Sequence, residues 1–169
     1  MKKAIAAALG VALLAACSGD APGPRPGDVA VEPQALAPRY VTEPSRFDHD
    51  ETMRRLYEAL DQRDLTVFAV IDHAAGAAQA GLELPEATVV IFGSPAFGTP
   101  LMQRDPLMAA ELPLRAAVYQ DKDGQVSVAT TSILAMTRAY PALSEESQRL
   151  TRIRGNLDAI VREATGRER

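Results

Sequence analysis

The single cysteine of this 169-residue chain, Cys17, is the feature that most restricts its fold. It directly follows an apolar run, Ala4 to Ala16, that begins after two lysines. A basic start, an apolar stretch and small residues before a cut are the parts of an export signal. The run has thirteen residues, and a membrane-spanning helix needs roughly 20. We therefore expect residues 1–16 to be a cleaved signal peptide and the mature domain to fold without a disulfide.

The residues Leu14, Ala15 and Ala16 before Cys17 resemble the lipobox of bacterial lipoproteins. The resemblance implies that Cys17 is lipidated and anchors the chain to a membrane. Several acyl chains anchor a protein stably, because each buried methylene contributes about 0.8 kcal/mol. Ser18 stands where an Asp would favour the inner membrane, so we expect an outer-membrane protein facing the periplasm. The alternative is an ordinary secretory signal with a cysteine near the cut by chance.

Charge argues against a nucleic-acid partner, and composition divides the chain after the signal into a tether and one domain. Loss of Lys2 and Lys3 with the signal leaves 16 basic against 22 acidic side chains, a net charge of −6. This balance, without a basic run, predicts no nucleic-acid partner. Residues 17–38 are rich in proline and glycine and lack apolar periodicity, which predicts a tether behind the lipidated cysteine. Residues 39–165 have the size of one domain.

Periodicity within this domain predicts an α+β fold. Asp48 is a candidate N-cap for a helix with the buried stripe Met53, Leu56, Tyr57 and Leu60. Other predicted elements are an edge strand near Tyr40, strands Thr66–Ile71 and Thr88–Phe92, a short helix or turn Ala74–Ala80, a hairpin of Arg115–Gln120 and Gln125–Thr130, and a last helix capped by Ser144. Helices segregated from a largely antiparallel sheet define the α+β class.

Several separated blocks of the sequence resemble one known family, that of domain of unknown function 302. These blocks are Thr66–His73, Ile91–Pro95, Gly98–Met102 and Leu112–Leu114. The resemblance implies a single domain with a TATA-binding-protein-like order: strand, helix, four largely antiparallel strands and a C-terminal helix. Ser94 stands where the family more often has Asn, and Asp64 where it often has Gly. The resemblance implies no agreed activity.

The loop Phe92–Thr99 contains the most suggestive chemistry. Gly93 and Gly98 are spaced as in a phosphate loop, but Thr99 and Pro100 occupy the positions of the required Lys and Ser or Thr, so we predict no nucleotide-triphosphate site. Thr99 is instead a candidate N-cap for a short helix that begins at Pro100 and ends at Arg104. Backbone donors there, with the hydroxyls of Ser94 and Thr99, could receive a small anion or a carboxylate. Alternatively, the loop residues only shape a tight turn.

Asp72 and His73 lie at the end of a predicted strand, where functional side chains are common. His73 could act as a general base, bind a metal or haem, or hydrogen-bond a neighbouring loop. His49 is expected to be exposed in the first turn of its helix. Two histidines without a mature cysteine predict no dedicated zinc site. No resident cofactor is predicted, with a metal or haem at His73 left open.

These observations support three classes of function. The first is a non-enzymatic envelope lipoprotein that binds a small molecule or an envelope protein near His73, Ser94, Thr99 and Arg104. The second is an enzyme that uses His73 as acid or base beside the anion-binding loop. The third is a structural or assembly lipoprotein with an exposed apolar patch or a pairing edge strand. A homodimer is a further expected arrangement.

Overall fold

The computed structural model describes residues 38–167. The predicted signal peptide, the lipidation of Cys17 and nearly all of the tether lie outside these residues. The strands are β1 (Tyr40–Pro44), β2 (Thr66–Asp72), β3 (Ala87–Gly93), β4 (Leu114–Gln120) and β5 (Val126–Thr131). The helices are α1 (His49–Asp61), α2 (His73–Gln79), α3 (Pro95–Arg104), α4 (Ile133–Ala139) and α5 (Ser147–Thr165), with 3-10 turns at Pro106–Ala110 and Pro141–Glu146.

The five strands form one antiparallel sheet in the order β1-β5-β4-β3-β2. The α+β prediction is confirmed, including the edge position of β1, and β3 lies in the interior of the sheet. The hairpin of β4 and β5 is also confirmed. Its loop contains Gly124 with φ of 84°, a left-handed conformation that glycine adopts without steric cost.

The core lies between the sheet and the two long helices. α1 and α5 pack against each other and contact the inner strands β4 and β5, respectively. Side chains in β3 alternate in burial, and Thr88, Val90 and Phe92 face the helices. Fully buried apolar side chains from all these layers form the centre of the core: Leu56, Leu60, Phe92, Leu101, Met108, Val118, Val128, Leu143 and Ile160. The fold thus has one helix-covered sheet face.

Helix α1 begins where the sequence predicts, and its buried face is shifted. The Asp48 carboxylate accepts a hydrogen bond of 2.8 Å from the backbone N–H of Glu51, as an N-cap should. Met53, Leu56 and Leu60 are buried as predicted, but Tyr57 is 37% exposed. That part of the prediction is wrong, because the buried face also includes Thr52 and Ala59 and is therefore centred on Leu56, with Tyr57 at its margin.

Two predicted helix starts are wrong, that of α3 by five residues and that of α5 by two. Helix α3 begins at Pro95 with Ser94 in the N-cap position, so Thr99 lies inside the helix. Proline is favoured at the first helical position, and the earlier of the two prolines takes it. Helix α5 begins at Ser147, because Ser144 belongs to the preceding 3-10 turn.

Asp64 has φ of 51°, the left-handed conformation expected where the family often has Gly.

Candidate functional site

An apolar cleft lies beside the end of β3, between α3 and α5. Its volume is about 240 Å³. Most of the residues that line it are apolar, and they come from five parts of the chain: Leu65 and Phe68; Phe92, Gly93, Pro95, Phe97, Gly98, Leu101 and Met102; Leu112, Pro113 and Leu114; Met136; and Ile153, Leu157 and Ile160. A cleft of this composition suits a small molecule with a hydrocarbon part.

The polar side chains of the cleft are those of Ser94, Thr99 and Asn156. Ser94 occupies the N-cap position of α3 and makes no side-chain capping hydrogen bond. Its carbonyl oxygen accepts from the backbone N–H groups of Phe97 and Gly98, both at 3.0 Å. Because the Ser94 side chain makes no capping hydrogen bond, its hydroxyl is available to a ligand in the cleft. Thr99 and Asn156 are exposed to solvent, so they can offer a hydroxyl and an amide to a ligand's polar group.

Two glycines lie in the walls of the cleft, where an added Cβ would make ordinary van der Waals contact with the facing wall. A Cβ added at Gly98 would lie 3.4 Å from Leu112 Cδ1, and one added at Gly93 would lie 3.6 Å from Phe68 Cε2. Larger side chains at these positions would project against the opposite wall. The glycines that resembled a phosphate loop thus shape an apolar cleft.

The predicted site residues do not all lie together. Ser94 and Thr99, whose hydroxyls the sequence suggested as ligand-binding groups of one loop, both line the cleft. The paired strands β2 and β3 place Thr66 opposite Gly93, at the cleft, and Asp72 opposite Thr88. Six residues of strand separate these ends by about 20 Å. Asp72 and His73 therefore lie far from Ser94 and Thr99.

Each predicted residue outside the cleft has a local environment of its own. The Asp72 carboxylate accepts a 2.8 Å hydrogen bond from the backbone N–H of Ala75, which makes it the N-cap of α2. His73 is exposed at the first position of that helix. Arg104, in the last turn of α3, forms an ion pair with Glu145. Neither His73 nor Arg104 lines the cleft.

Sequence reasoning missed the contribution of α5 to the cleft. Ile153 and Leu157 belong to the apolar stripe that predicted this helix, and Asn156 lies between them. These residues are about sixty positions from the loop at Ser94, so no local spacing connects them. The only available signal was the stripe itself, which predicts burial but not the partner surface.

A second cluster of polar side chains lies at the start of α1. Ligand atoms of His49, Asp50 and Glu86 are within 4.8 Å of one another. The prediction that His49 is exposed is wrong: its exposed fraction is 8%. His49 is three and four residues before the buried Thr52 and Met53, so it shares their helix face. Its Nε2 atom has no hydrogen-bond partner within residues 38–167.

A partly buried ion pair connects α5 to Arg63, just beyond the end of α1 and away from the cleft. Arg63 donates hydrogen bonds of 2.8 and 2.5 Å to the two carboxylate oxygens of Glu163. These bonds hold the pKa of Glu163 below its usual value, against the opposing effect of partial burial. The pair is structural, since neither residue lines the cleft.

The antiparallel sheet and its helix-covered face define a class of α+β domains, and the comparisons identify the family. The family model "Domain of unknown function DUF302" matches residues 41–164. The chain belongs to this family. Among solved structures, the uncharacterized conserved protein DUF302 from Bacillus stearothermophilus matches 76% of this chain and 99% of its own, with a TM-score of 0.66 and 21% identity. At this identity the likeness supports the fold.

Curated relatives include proteins named as ion channels. The chain is 41% identical over 86 residues to the fluoride-specific ion channel FluC 1 of Brucella suis biovar 1 (strain 1330), and equally to FluC 2 of Brucella melitensis biotype 1. The matched segment is 51% of this chain and 34% and 32% of those relatives, so the chain spans about a third of their length. Within residues 38–167, none of the helices is long and apolar enough to cross a bilayer.

Proposed function

We propose that the protein is a lipid-anchored lipoprotein of the bacterial envelope that binds a small amphipathic molecule. The observation that carries the proposal is the apolar cleft of about 240 Å³ with hydroxyl and amide groups of Ser94, Thr99 and Asn156 among its lining. Its volume is below the roughly 300–1,000 Å³ of pockets for drug-sized ligands. The expected ligand therefore has a short hydrocarbon part and one polar or anionic group.

The polar group of such a ligand has a defined place to bind. The free hydroxyl of Ser94 lies at the N-terminal end of α3, where the helix dipole favours negative charge. The hydrocarbon part would fill the cleft between α3 and α5. Anchoring through Cys17 would keep this cleft close to a membrane, a source of amphipathic molecules.

The alternative of an enzyme that uses His73 has less support from the geometry. That mechanism needs the imidazole beside the loop at Ser94, and the strand register separates the two by about 20 Å. His73 is solvent-exposed on a seven-residue helix. The arrangement therefore favours binding over acid–base catalysis at this loop.

The similarity to proteins named as fluoride-specific channels supports a second candidate function. We propose, as this second candidate, that the domain assists anion transport at the membrane and itself recognises fluoride. The matched segment occupies about a third of those channel proteins, so the domain would be an accessory part. Under this hypothesis fluoride, and not a hydrocarbon chain, is the ligand that stabilises the fold.

Thermal unfolding with two glycine variants tests the first proposal. The described residues 38–167 belong to one compact unit, and the Bacillus stearothermophilus structure consists almost wholly of the same fold, so a segment of residues 35–169 is suitable. Octanoate is the probe, and acetate controls for the carboxylate alone. At a concentration ten times its Kd, octanoate should stabilise the segment by about 1.4 kcal/mol, or roughly 3–6 °C in Tm.

Gly98→Leu should abolish this shift, because the new side chain projects toward Leu112 across the cleft. Gly155→Leu is the matched control, since Gly155 lies on α5 with open space around it. Equal shifts in both variants, or no shift in the unsubstituted segment, would contradict the proposal.

In the same assay, stabilisation by sodium fluoride but not by sodium chloride would support the second candidate. Equal Tm values in the two salts would contradict it.

A further inference from the structure

The free edge of β2 is the largest exposed apolar feature of the described sheet. β2 pairs with β3 on one side, and as an edge strand it leaves outward N–H and C=O groups unpaired. All seven of its residues are exposed. Four of them are large and apolar, Val67, Phe68, Val70 and Ile71, with exposed fractions of 37–51%.

The other edge of the sheet is protected and β2 is not. β1 has five residues and ends in Glu43 and Pro44, and both charge and proline discourage strand pairing. From Thr66 to Ile71, β2 contains neither a charged residue nor a proline. An exposed apolar edge strand whose only charged residue, Asp72, is its last is a surface on which another strand can pair.

We propose that β2 pairs antiparallel with β2 of a second copy of this chain, about a two-fold axis at Val70. The proposal is independent of the ligand proposed for the cleft. A two-fold interface is self-complementary, so the residue on the axis faces itself and its neighbours pair across it. The register of β2 against β3 shifts between Val67 and Ala69. The residues that keep a regular register with β3 are Ala69–Asp72, and an axis at Val70 places the pair of Ala69 and Ile71 within this stretch.

This register favours a second copy because the strand complements itself in size and opposes no like charges. Small Ala69 falls opposite large Ile71, and large Phe68 falls opposite Asp72. Partners in these pairs lie on the same face of the sheet, as cross-strand pairs must. Each Asp72 faces an aromatic side chain and not the other Asp72, so no like charges are opposed.

The size of the contact sets its expected strength. A five-residue strand pair is smaller than the roughly 1,600 Å² of a standard interface, so we expect a weak, reversible dimer with a Kd of about 10–100 µM. Phe68 also lines the apolar cleft. The second copy would therefore lie directly beside the cleft of the first.

Sedimentation equilibrium of residues 35–169 tests the pairing, from about 5 µM to about 500 µM to bracket the expected Kd. The segment should be dimeric at the upper end. Val70→Lys should be monomeric throughout, because it places two positive charges opposite each other on the axis. Val41→Lys is the matched control on β1, since Val41 and Val70 are 50% and 48% exposed, and it should remain dimeric. Circular dichroism confirms that each variant is folded.

A cysteine pair tests the register itself, since residues 35–169 contain no cysteine. Val70→Cys should form an intermolecular disulfide rapidly under mild oxidation, because the two Cβ atoms meet at the axis. Thr66→Cys should not, because the axis places the two copies about 27 Å apart along the strands. A monomer at all concentrations, a dimer unaffected by Val70→Lys, or equal cross-linking of both cysteine variants would overturn the proposal.

Discussion

Two glycines, one within α5 and one at its C-cap, differ in what an added methyl group would contact. Gly166 ends the helix with φ of 68°, and a Cβ there would lie 2.5 Å from Cε2 of Phe47, whose ring stacks on Arg55. Gly166→Ala should destabilise the fold by about 2–3 kcal/mol, from backbone strain and displacement of the ring.

Gly155 has open space and lies within the helix. Gly155→Ala should stabilise it by about 0.5–1 kcal/mol. Urea unfolding measures both, and effects of the same sign would contradict this account.

The ion pair of Arg63 and Glu163 should make stability depend on pH in acid. A carboxylate whose pKa is lowered by folding stabilises the native state above its unfolded pKa, near 4.5. This contribution is lost as the pH falls through the lower, folded pKa. Because the pair is partly exposed, we expect about 1 kcal/mol.

Urea unfolding at pH 7 and pH 3 measures this effect. Glu163→Gln should lower stability at pH 7 and reduce the difference between the two pH values. Glu145→Gln is the control, because the pair of Glu145 with Arg104 is more exposed and should contribute less. Equal effects of the two substitutions would refute the assigned role of Glu163.

At the scale of secondary structure, Asp72 holds the start of α2. Its carboxylate caps a seven-residue helix that has no buried residues, so local hydrogen bonds contribute much of that helix's stability. Asp72→Ala should destabilise α2 by about 1 kcal/mol, whereas Asp72→Asn should change little, since Asn caps as well as Asp. Amide hydrogen exchange in α2 distinguishes the variants. Equal loss of protection in both would indicate a role that requires the negative charge.

Local patterns predicted most elements, and neighbouring structure decided the exceptions. The strands, the hairpin and the long helices follow from alternation, turn residues and helical spacing within one segment. The sequence did not reveal α4, a seven-residue helix with two buried residues, Ile133 and Met136. Such a short stretch has too few repeats to define a period. The start of α3 was wrong because two prolines could each occupy a first helical position.

At the scale of the whole molecule, the proposed lipid anchor on Cys17 predicts where the protein is found. In a bacterial host with a lipoprotein pathway, the full chain should fractionate with the outer membrane and incorporate labelled palmitate. Cys17→Ser should lose the label and leave the membrane fraction, because acyl chains supply the attachment. Ser18→Asp should keep the label and move the protein toward the inner membrane. Membrane association of unlabelled Cys17→Ser would contradict the anchor.

The sequence alone determined the α+β class, the family resemblance and most element positions, because these depend on residues close together in the chain. Tertiary structure decided which distant residues share a site. It brought Asn156 and Leu157 of α5 to the loop at Ser94, and it separated that loop from His73. It also buried His49 and left both faces of β2 exposed. Spacing along a chain determines which side of an element is apolar, but only packing determines what that side contacts. The position of the single cysteine at residue 17 leaves residues 38–167 without a disulfide, whereas the cleft and the free edge of β2 exist only in the folded chain.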